Sequence, residues 1–410
     1  MTELPKRGNN LTIIIAILIF GFLIFIHELG HYLTARMFKV GINEFALGMG
    51  PKIFSWTSKK TNILYSLRLL PIGGYVSMVG EDEDSEDKNA LNNKPVWQRM
   101  IIVSAGAFMN VLVGILTVFI IVVSSNDLGS NVVSKLDRVT ELTQFGVRET
   151  DTIVQIGDDT VEIDYNKAME RLLGYSEPTN IAVIRDGERI EFENVRVLTP
   201  SKLRDYGVME GDRIVKIGDQ DVHIDRDLVE AIMFEGKKPV DVTVIRNGEK
   251  VVLDDVCFAR DTENGMVFGV VDFYVSPAKK SFTGVLKHTY YYSMSTVSMI
   301  WKSLVMLVTG DVGVEQMSGP IGVTSAIGDA VKLGPYYLLN LVALLALNLG
   351  IFNMLPLPAL DGGRFVFMLY ELIFRKPVKR EVEGMIHFVG LMLLLVLMAF
   401  VCFNDVRNLF

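Results

Sequence analysis

The feature that most constrains the fold is an apolar run near the N-terminus that ends in a cluster of ionisable side chains. Residues 11–26 contain no ionisable side chain, and His27, Glu28 and His31 then follow within one short stretch. A helix over residues 11–33 would be about 34 Å long, which is enough to cross a bilayer. We predict a retained membrane-spanning helix rather than a secretory signal, because no small-residue cleavage site follows the run.

The ionisable cluster has the spacing of a zinc site, HExxH. On a helix, His27 and His31 lie one turn apart on one face, so both imidazoles can reach a single Zn²⁺, and Glu28 lies beside them where a general base is required. Chance is the alternative, at roughly one chain in a hundred of this length. Each ionisable group in a membrane span costs about 2.5–3.5 kcal/mol on insertion scales. That cost favours a functional metal site over coincidence.

The composition is that of a mixed membrane and soluble protein. The 410 residues are 50% hydrophobic and 21% charged, and the mean hydropathy is +0.34. A net charge of −8, without a basic cluster, argues against nucleic acid as a partner, and there is no Gly-rich phosphate loop. The two cysteines, Cys257 and Cys402, lack CxxC spacing, and whether they pair stays open.

The hydropathy predicts a polytopic α-helical membrane protein with four transmembrane helices. Besides the first run, three apolar runs qualify: 100–123, 336–358 and 385–403. Lys and Arg are concentrated in residues 34–99 and in the segment after Asp361, so both are expected on the cytoplasmic side. Both termini and the long segment 124–334 are then expected outside the cytoplasm, with the HExxH motif near the cytoplasmic side.

The long extracytoplasmic segment contains an internal repeat. The sequence FGVRETDTIVQIGD at 145–158 aligns without a gap with YGVMEGDRIVKIGD at 206–219. At the same offset, RDGE at 185–188 aligns with RNGE at 246–249, a signal for a hairpin turn. The pattern resembles PDZ domains of bacterial proteases, so two tandem PDZ-like α+β domains are expected.

A membrane-associated β-hairpin is predicted beside the first span. Residues 62–78, NILYSLRLLPIGGYVSM, alternate as strands do, and Pro71–Gly74 is a turn signal between two short runs. We therefore expect both strands of the hairpin within these residues.

The stretch 282–308 is apolar enough to suggest a fifth span. Lys287, His288 and Lys302 interrupt it, and its tyrosines suit an interface, so we predict an amphipathic membrane-surface region instead. The resulting division is 1–123 for the first two spans and the hairpin, 124–199 and 200–275 for the PDZ-like domains, 276–334 for the surface region, and 335–410 for the last two spans.

A catalytic zinc site needs a third protein ligand. His223, His288 and His387 lie in segments where a surface histidine is the simpler interpretation. Asp361 follows the third predicted span, which runs in the same direction as the first, so Asp361 and the HExxH motif reach the same end of the membrane. Its alternative role is that of a turn residue in Asp-Gly-Gly.

The combination of HExxH at 27–31 and NxxPxPxLDG at 353–362, on either side of two PDZ-like modules, resembles the site-2 protease family of intramembrane zinc metalloproteases. Within that family the chain is most similar to the bacterial regulator of sigma-E proteases. The resemblance implies Zn²⁺ held by His27, His31 and Asp361, with Glu28 as the catalytic glutamate. It also implies substrate contacts, which we assign to Asn353, Asn110, Gly73, Gly74 and Tyr75. One departure is Ala107, where relatives usually have Gly-Pro.

The resulting hypothesis is a zinc endopeptidase in the lipid bilayer that cleaves the transmembrane segment of a single-span membrane protein. The resemblance implies an anti-sigma factor, and also remnant signal peptides, as substrates. It also implies a bacterial inner (cytoplasmic) membrane as the location, with both termini and the PDZ-like domains in the periplasm and the active site near the cytoplasmic side. The PDZ-like pair either binds a freshly exposed C-terminus or excludes bulky ectodomains, and the lack of a clear Gly-Leu-Gly-Phe loop favours the size filter. The alternative is a non-hydrolytic membrane-anchored PDZ scaffold or a zinc carrier, which needs ligands but no glutamate beside the metal.

Overall fold

A computed structural model of the chain describes residues 8–81, 85–139, 142–172, 175, 177–263, 266–313 and 317–408. Its helices are α1 (Gly8–Met37), α2 (Val96–Ser124), α3 (Tyr165–Leu172), α4 (Asp225–Glu235), α5 (Phe282–Thr309), α6 (Pro320–Leu333), α7 (Pro335–Asn353), α8 (Asp361–Phe374) and α9 (Arg380–Asn408). The described residues form two compact units, one within Met1–Ser125 and Thr296–Phe410 and the other within Asn126–Ser295.

The strands are β1 (Ile42–Thr57), β2 (Leu64–Met78), β3 (Leu128–Lys135), β4 (Asp137–Val139), β5 (Thr152–Ile156), β6 (Asp159–Ile163), β7 (Thr179–Arg185), β8 (Glu188–Val195), β9 (Leu198–Pro200), β10 (Arg213–Ile217), β11 (Gln220–Asp221), β12 (Val240–Arg246), β13 (Glu249–Val256), β14 (Ala259–Glu263), β15 (Met266–Val270) and β16 (Tyr274–Ala278). All of the strand pairs are antiparallel within the described chain. The first two strands belong to the first unit and the others to the second.

Four helices of the first unit are long and apolar enough to cross a membrane. They are α1, α2, α7 and α9, with candidate spans Leu11–Met37, Val96–Ser124, Pro335–Asn353 and Arg380–Arg407. Helix α7 ends at Asn353, before Pro356 and Pro358, as expected of residues that cannot continue a helix. Helix α5 is 28 residues long but is not among the candidate spans of the described chain. Its location on the membrane surface stays a prediction.

Helix α2 packs against α1, α7 and α8 and forms the centre of the first unit. Glycines allow the backbones to approach closely. A Cβ atom on Gly30 of α1 would lie 2.4 Å from the carbonyl oxygen of Ala105, and one on Gly350 of α7 would lie 2.9 Å from that of Ala107. Small residues at such contacts are the usual means of packing helices in a membrane.

A β-hairpin is present, but its predicted boundaries and turn are wrong. Its strands are β1 and β2, and residues 58–63 connect them. Both strands bend sharply, so Leu47 of β1 is paired with Gly74 on one side and with Leu67 on the other. Pro71–Gly74 is therefore a bend within β2, where Gly73 has a φ of +80°. The alternation of β1 is interrupted by glycines that form its own bend, which is why the sequence did not reveal this strand.

The hairpin packs against the last turns of α1. The ring of Tyr32 meets that of Phe45 edge-on at 5.3 Å, and its hydroxyl lies 2.7 Å from that of Tyr65. Val76 and Met78 of β2 join the same buried cluster. These contacts fix the sheet next to the HExxH segment.

In the second unit each copy of the repeat forms a sheet of its own, and two further two-stranded sheets, β4-β9 and β14-β15, accompany them among the described residues. The first copy forms the sheet β6-β5-β7-β8, and the second forms β13-β12-β10-β3-β16 with β11 beside β10. Strand β3 precedes the first copy in the chain, yet it pairs with β10 and β16. Strands β4 and β9, which flank the first copy, pair with each other. The first module is therefore inserted into the second, whereas the sequence suggested one module after the other.

The repeat is also present in the side-chain contacts. Arg185 donates two hydrogen bonds to the carboxylate of Asp151, at 2.8 and 2.7 Å. At the same offset, Arg246 donates two to Asp212 at the same distances. Both carboxylates are buried. The hydrogen bonds from the Arg185 guanidinium hold the pKa of Asp151 below its ordinary value.

Candidate metal centre

Three potential ligand atoms converge where α1 meets α8. Nε2 of His27 lies 3.2 Å from Nε2 of His31, because the two residues are one helical turn apart. Asp361, the first residue of α8, places its Oδ2 atom 3.2 Å from Nε2 of His27 and 3.3 Å from that of His31. The structure thus brings together residues that are far apart in the sequence.

This triangle fits zinc. Tetrahedral Zn²⁺ with bonds of about 2.0–2.1 Å requires ligand atoms about 3.3 Å apart. Asp361 Oδ2 is buried without a hydrogen-bond partner among the described residues, as expected of an atom that faces a cation. In the described part of the chain, no other group of three His, Cys, Asp or Glu side chains lies close enough to hold a metal.

Helix α2 lies against both imidazoles, at their Nδ1 atoms and also close to their Nε2 atoms. The carbonyl oxygen of Ile102 lies 2.8 Å from Nδ1 of His31. A Cβ atom on Gly106 would lie 2.4 Å from Nε2 of His31 and 2.8 Å from Nε2 of His27, so only glycine leaves room for the rings. Asn110 is fully buried, and its amide nitrogen lies 3.3 Å from Nδ1 of His27. This position suits a contact with a ligand histidine better than one with a substrate.

Glu28 lies on α1 between the two histidines and next to the hairpin. A Cβ atom on Gly74 would lie 3.0 Å from Cγ of Glu28, so the backbone of β2 passes directly beside this carboxylate. Next along the strand, the hydroxyl of Tyr75 accepts a hydrogen bond from Arg68, which also pairs with Glu44 at 2.9 Å. Of the predicted hairpin residues, Gly74 therefore lies beside Glu28, whereas the described contacts of Gly73, with Met49, and of Tyr75, with Arg68, are within the hairpin.

The loop before Asp361 is folded over the first turn of α8. Gly362 and Gly363 permit this, since a Cβ on Gly362 would lie 2.1 Å from the carbonyl oxygen of Leu355. Ala359 adopts a φ of +72° and donates its amide proton to Nδ1 of His387 at 2.8 Å. No role was predicted for His387, and only its place at the start of the last span could have drawn attention to it.

Asn353 is the last residue of α7, immediately before the loop. Its side chain is half-buried, and the described contacts give it no hydrogen bond. A half-buried amide without a hydrogen bond can bind a ligand, and no described contact joins Asn353 to the three ligand atoms.

Next to this loop lies a polar cavity of about 640 Å³ in the same unit. Arg99 of α2 pairs with Glu371 of α8 at 2.6 Å, and Arg364 of α8 pairs with Glu81 just after β2. These ion pairs connect α8, which begins at Asp361, to α2 and to the end of β2. The sequence offered no local pattern that would predict them.

Comparison with known proteins identifies the family of the chain. Residues 15–397 match the profile of peptidase family M50. Three relatives carry related names: zinc metalloprotease RasP of Geobacillus kaustophilus (31% identical; 97% of this chain and 98% of the relative), regulator of sigma-W protease RasP of Bacillus subtilis (32%; 97% and 99%) and zinc metalloprotease RasP of Oceanobacillus iheyensis (32%; 97% and 99%). The chain therefore belongs to peptidase family M50, the site-2 protease family, and is a zinc metalloprotease.

Proposed function

We propose that the chain is an intramembrane endopeptidase in which His27, His31 and Asp361 hold Zn²⁺ and Glu28 is the general base. The observation that carries the proposal is the 3.2–3.3 Å triangle of ligand atoms with Glu28 on the same helix. When bound, zinc supplies a Lewis acid that acidifies water and polarises a peptide carbonyl. Glu28 takes a proton from the attacking water and returns it to the leaving amine as the peptide bond breaks.

The substrate we propose is the transmembrane segment of a single-span membrane protein. The carbonyls of such a helix are hydrogen-bonded and shielded, so the segment must be unwound before attack. Residues 74–78 of β2 pair only with β1 among the described strands, so their other edge is available to an extended chain. Gly74 lies beside Glu28, so a strand added there would lie next to the general base.

The other residues assigned to substrate binding have supporting positions. The positive φ of Gly73 forms the bend that directs the edge towards α1, and Tyr75 is held by Arg68. Asn353 would donate its amide to the substrate strand or to the developing oxyanion. Each of these roles requires a substrate strand bound at the free edge of β2.

We further propose an anti-sigma factor as the substrate class, with remnant signal peptides as a second source. The name of the B. subtilis relative, a regulator of sigma-W protease, supports the first. The two modules of the second unit, each a sheet with a short helix, would act as PDZ-like filters that exclude bulky ectodomains. Both termini and these modules would lie outside the cytoplasmic membrane, with the active site near its cytoplasmic side.

The decisive test of the reaction is the variant Glu28→Gln in liposomes with a single-span substrate. It should keep its zinc and lose cleavage, whereas Glu149→Gln, an exposed glutamate of the second unit, should behave as wild type. Undiminished cleavage by Glu28→Gln would refute Glu28 as the general base, whereas a wild-type protein that holds zinc but cleaves no substrate would favour a carrier or a scaffold. Cleavage of a substrate with and without its folded ectodomain, in the same liposomes, tests the size filter.

A further inference from the structure

Both proposed histidine ligands have a contact to α2 at the ring nitrogen that faces away from the triangle. Ile102, Gly106 and Asn110 are spaced four residues apart on α2, as His27 and His31 are on α1, so the two helices present matching faces. Ile102 meets the ring of His31 and Asn110 meets that of His27. Gly106 between them leaves the space for both rings.

The chemistry of metal binding determines what these contacts must do. A neutral imidazole that gives its Nε2 lone pair to a metal carries its proton on Nδ1, and that N–H must donate. For His31 the acceptor is the carbonyl oxygen of Ile102, which can accept a hydrogen bond but cannot donate one. For His27 the group at Nδ1 is the amide of Asn110, whose Oδ1 atom is buried and has no partner among the described residues. Rotating the amide group by about 180° would exchange its oxygen and nitrogen and place Oδ1 next to Nδ1 of His27.

We infer that Asn110 is a positioning residue that selects the metal-binding tautomer of His27, because its Oδ1 accepts a hydrogen bond from Nδ1–H of that histidine. The inference rests on the proposed ligand set. Asn110 is fully buried, so water cannot replace the missing acceptor when the amide is removed. The amide facing His27 through its nitrogen would favour the other tautomer, whose Nε2 carries the proton and cannot bind zinc. Metal binding and the orientation of this amide are therefore coupled.

The test measures zinc affinity of the full-length protein in detergent, by competition with a chelator. Asn110→Leu has a similar volume and no acceptor, and we expect it to bind zinc about 10–100-fold more weakly. Asn110→Asp keeps an acceptor and makes it stronger, so its affinity should equal or exceed that of wild type. Thr117→Val is the matched control, because it removes another buried polar group of α2, one that donates only to the carbonyl of Val113.

A role in packing alone would not produce this order, since Asp is no better than Leu as a buried spacer. If Asn110→Leu is folded and binds zinc as wild type does, the inference is overturned. The inference is also overturned if Asn110→Asp and Asn110→Leu lose zinc affinity equally. Zinc binding by His27→Ala separates a failure of the ligand set from a failure of the role of Asn110. Wild-type zinc affinity in His27→Ala would refute the proposed ligand set. Loss of zinc affinity in His27→Ala, together with wild-type affinity in Asn110→Leu, would refute only the role of Asn110.

Discussion

Replacing Gly106 by alanine should damage the metal site directly, because the added methyl group would collide with both proposed histidine ligands. The new Cβ atom would lie 2.4 Å from Nε2 of His31, against about 3.4 Å for an ordinary contact, so the ring or the helix must move by about 1 Å. A movement of α2 away from α1 is opposed by its close packing on α7, where Gly350 meets Ala107 and Val111. Zinc sites tolerate errors of only about 0.2 Å in their bond lengths.

We therefore expect Gly106→Ala to lower zinc affinity by at least about 10-fold and cleavage by about 100-fold, the usual cost of a 1 Å misplacement. Chelator competition and a liposome cleavage assay measure the two effects. Gly114→Ala is the matched control on α2: its Cβ would press on Leu347 at 2.6 Å, away from the histidines, so it should lower stability without changing zinc affinity. Wild-type zinc affinity in Gly106→Ala would refute the described packing of the site.

Three further predictions concern the ligand set, the second unit and the topology. Asp361→Asn should lower the zinc content of the purified protein, and an unchanged content would remove Asp361 from the ligand set. Burial would raise the pKa of Asp212, but its hydrogen bonds from Arg246 lower it below the ordinary value. The stability it contributes should therefore be complete above about pH 4 and be lost as the pH falls through the folded-state pKa. Asp212→Asn should cost about 3–5 kcal/mol and increase hydrogen exchange in the second unit, and exchange that does not change would contradict this ion pair. In a cysteine-free background, a cysteine at Lys59 should be labelled from the cytoplasmic side and one at Lys238 from outside, and the reverse pattern would refute the topology.

The membrane helices could be predicted because a bilayer imposes one requirement, a sufficiently long apolar run, that is read locally. The spacing of His27 and His31 is also local, since it needs only the pitch of one helix. Asp361 required a global argument, the direction of two spans, and the structure does place it at the same end as the histidines. In each case a simple physical rule connected residue to position.

The elements that the sequence did not predict depend on contacts between distant segments. Strand β1 was missed because Gly48 and Gly50, both with positive φ, break its alternation at the bend. Strand β3 lies outside the repeat, so no pattern in its sequence indicated that it pairs with the sheet of the second module. The contact of Asn110 with His27 follows from how α2 packs on α1, for which a single sequence has no pattern.

The most direct test of the metal site is the anomalous scattering of a crystal of the zinc-loaded protein, measured on both sides of the zinc absorption edge. A single peak about 2.0–2.2 Å from His27 Nε2, His31 Nε2 and Asp361 Oδ2 is the predicted result. Stoichiometric zinc with its peak elsewhere, or bound without one of these three atoms, would contradict the proposed site.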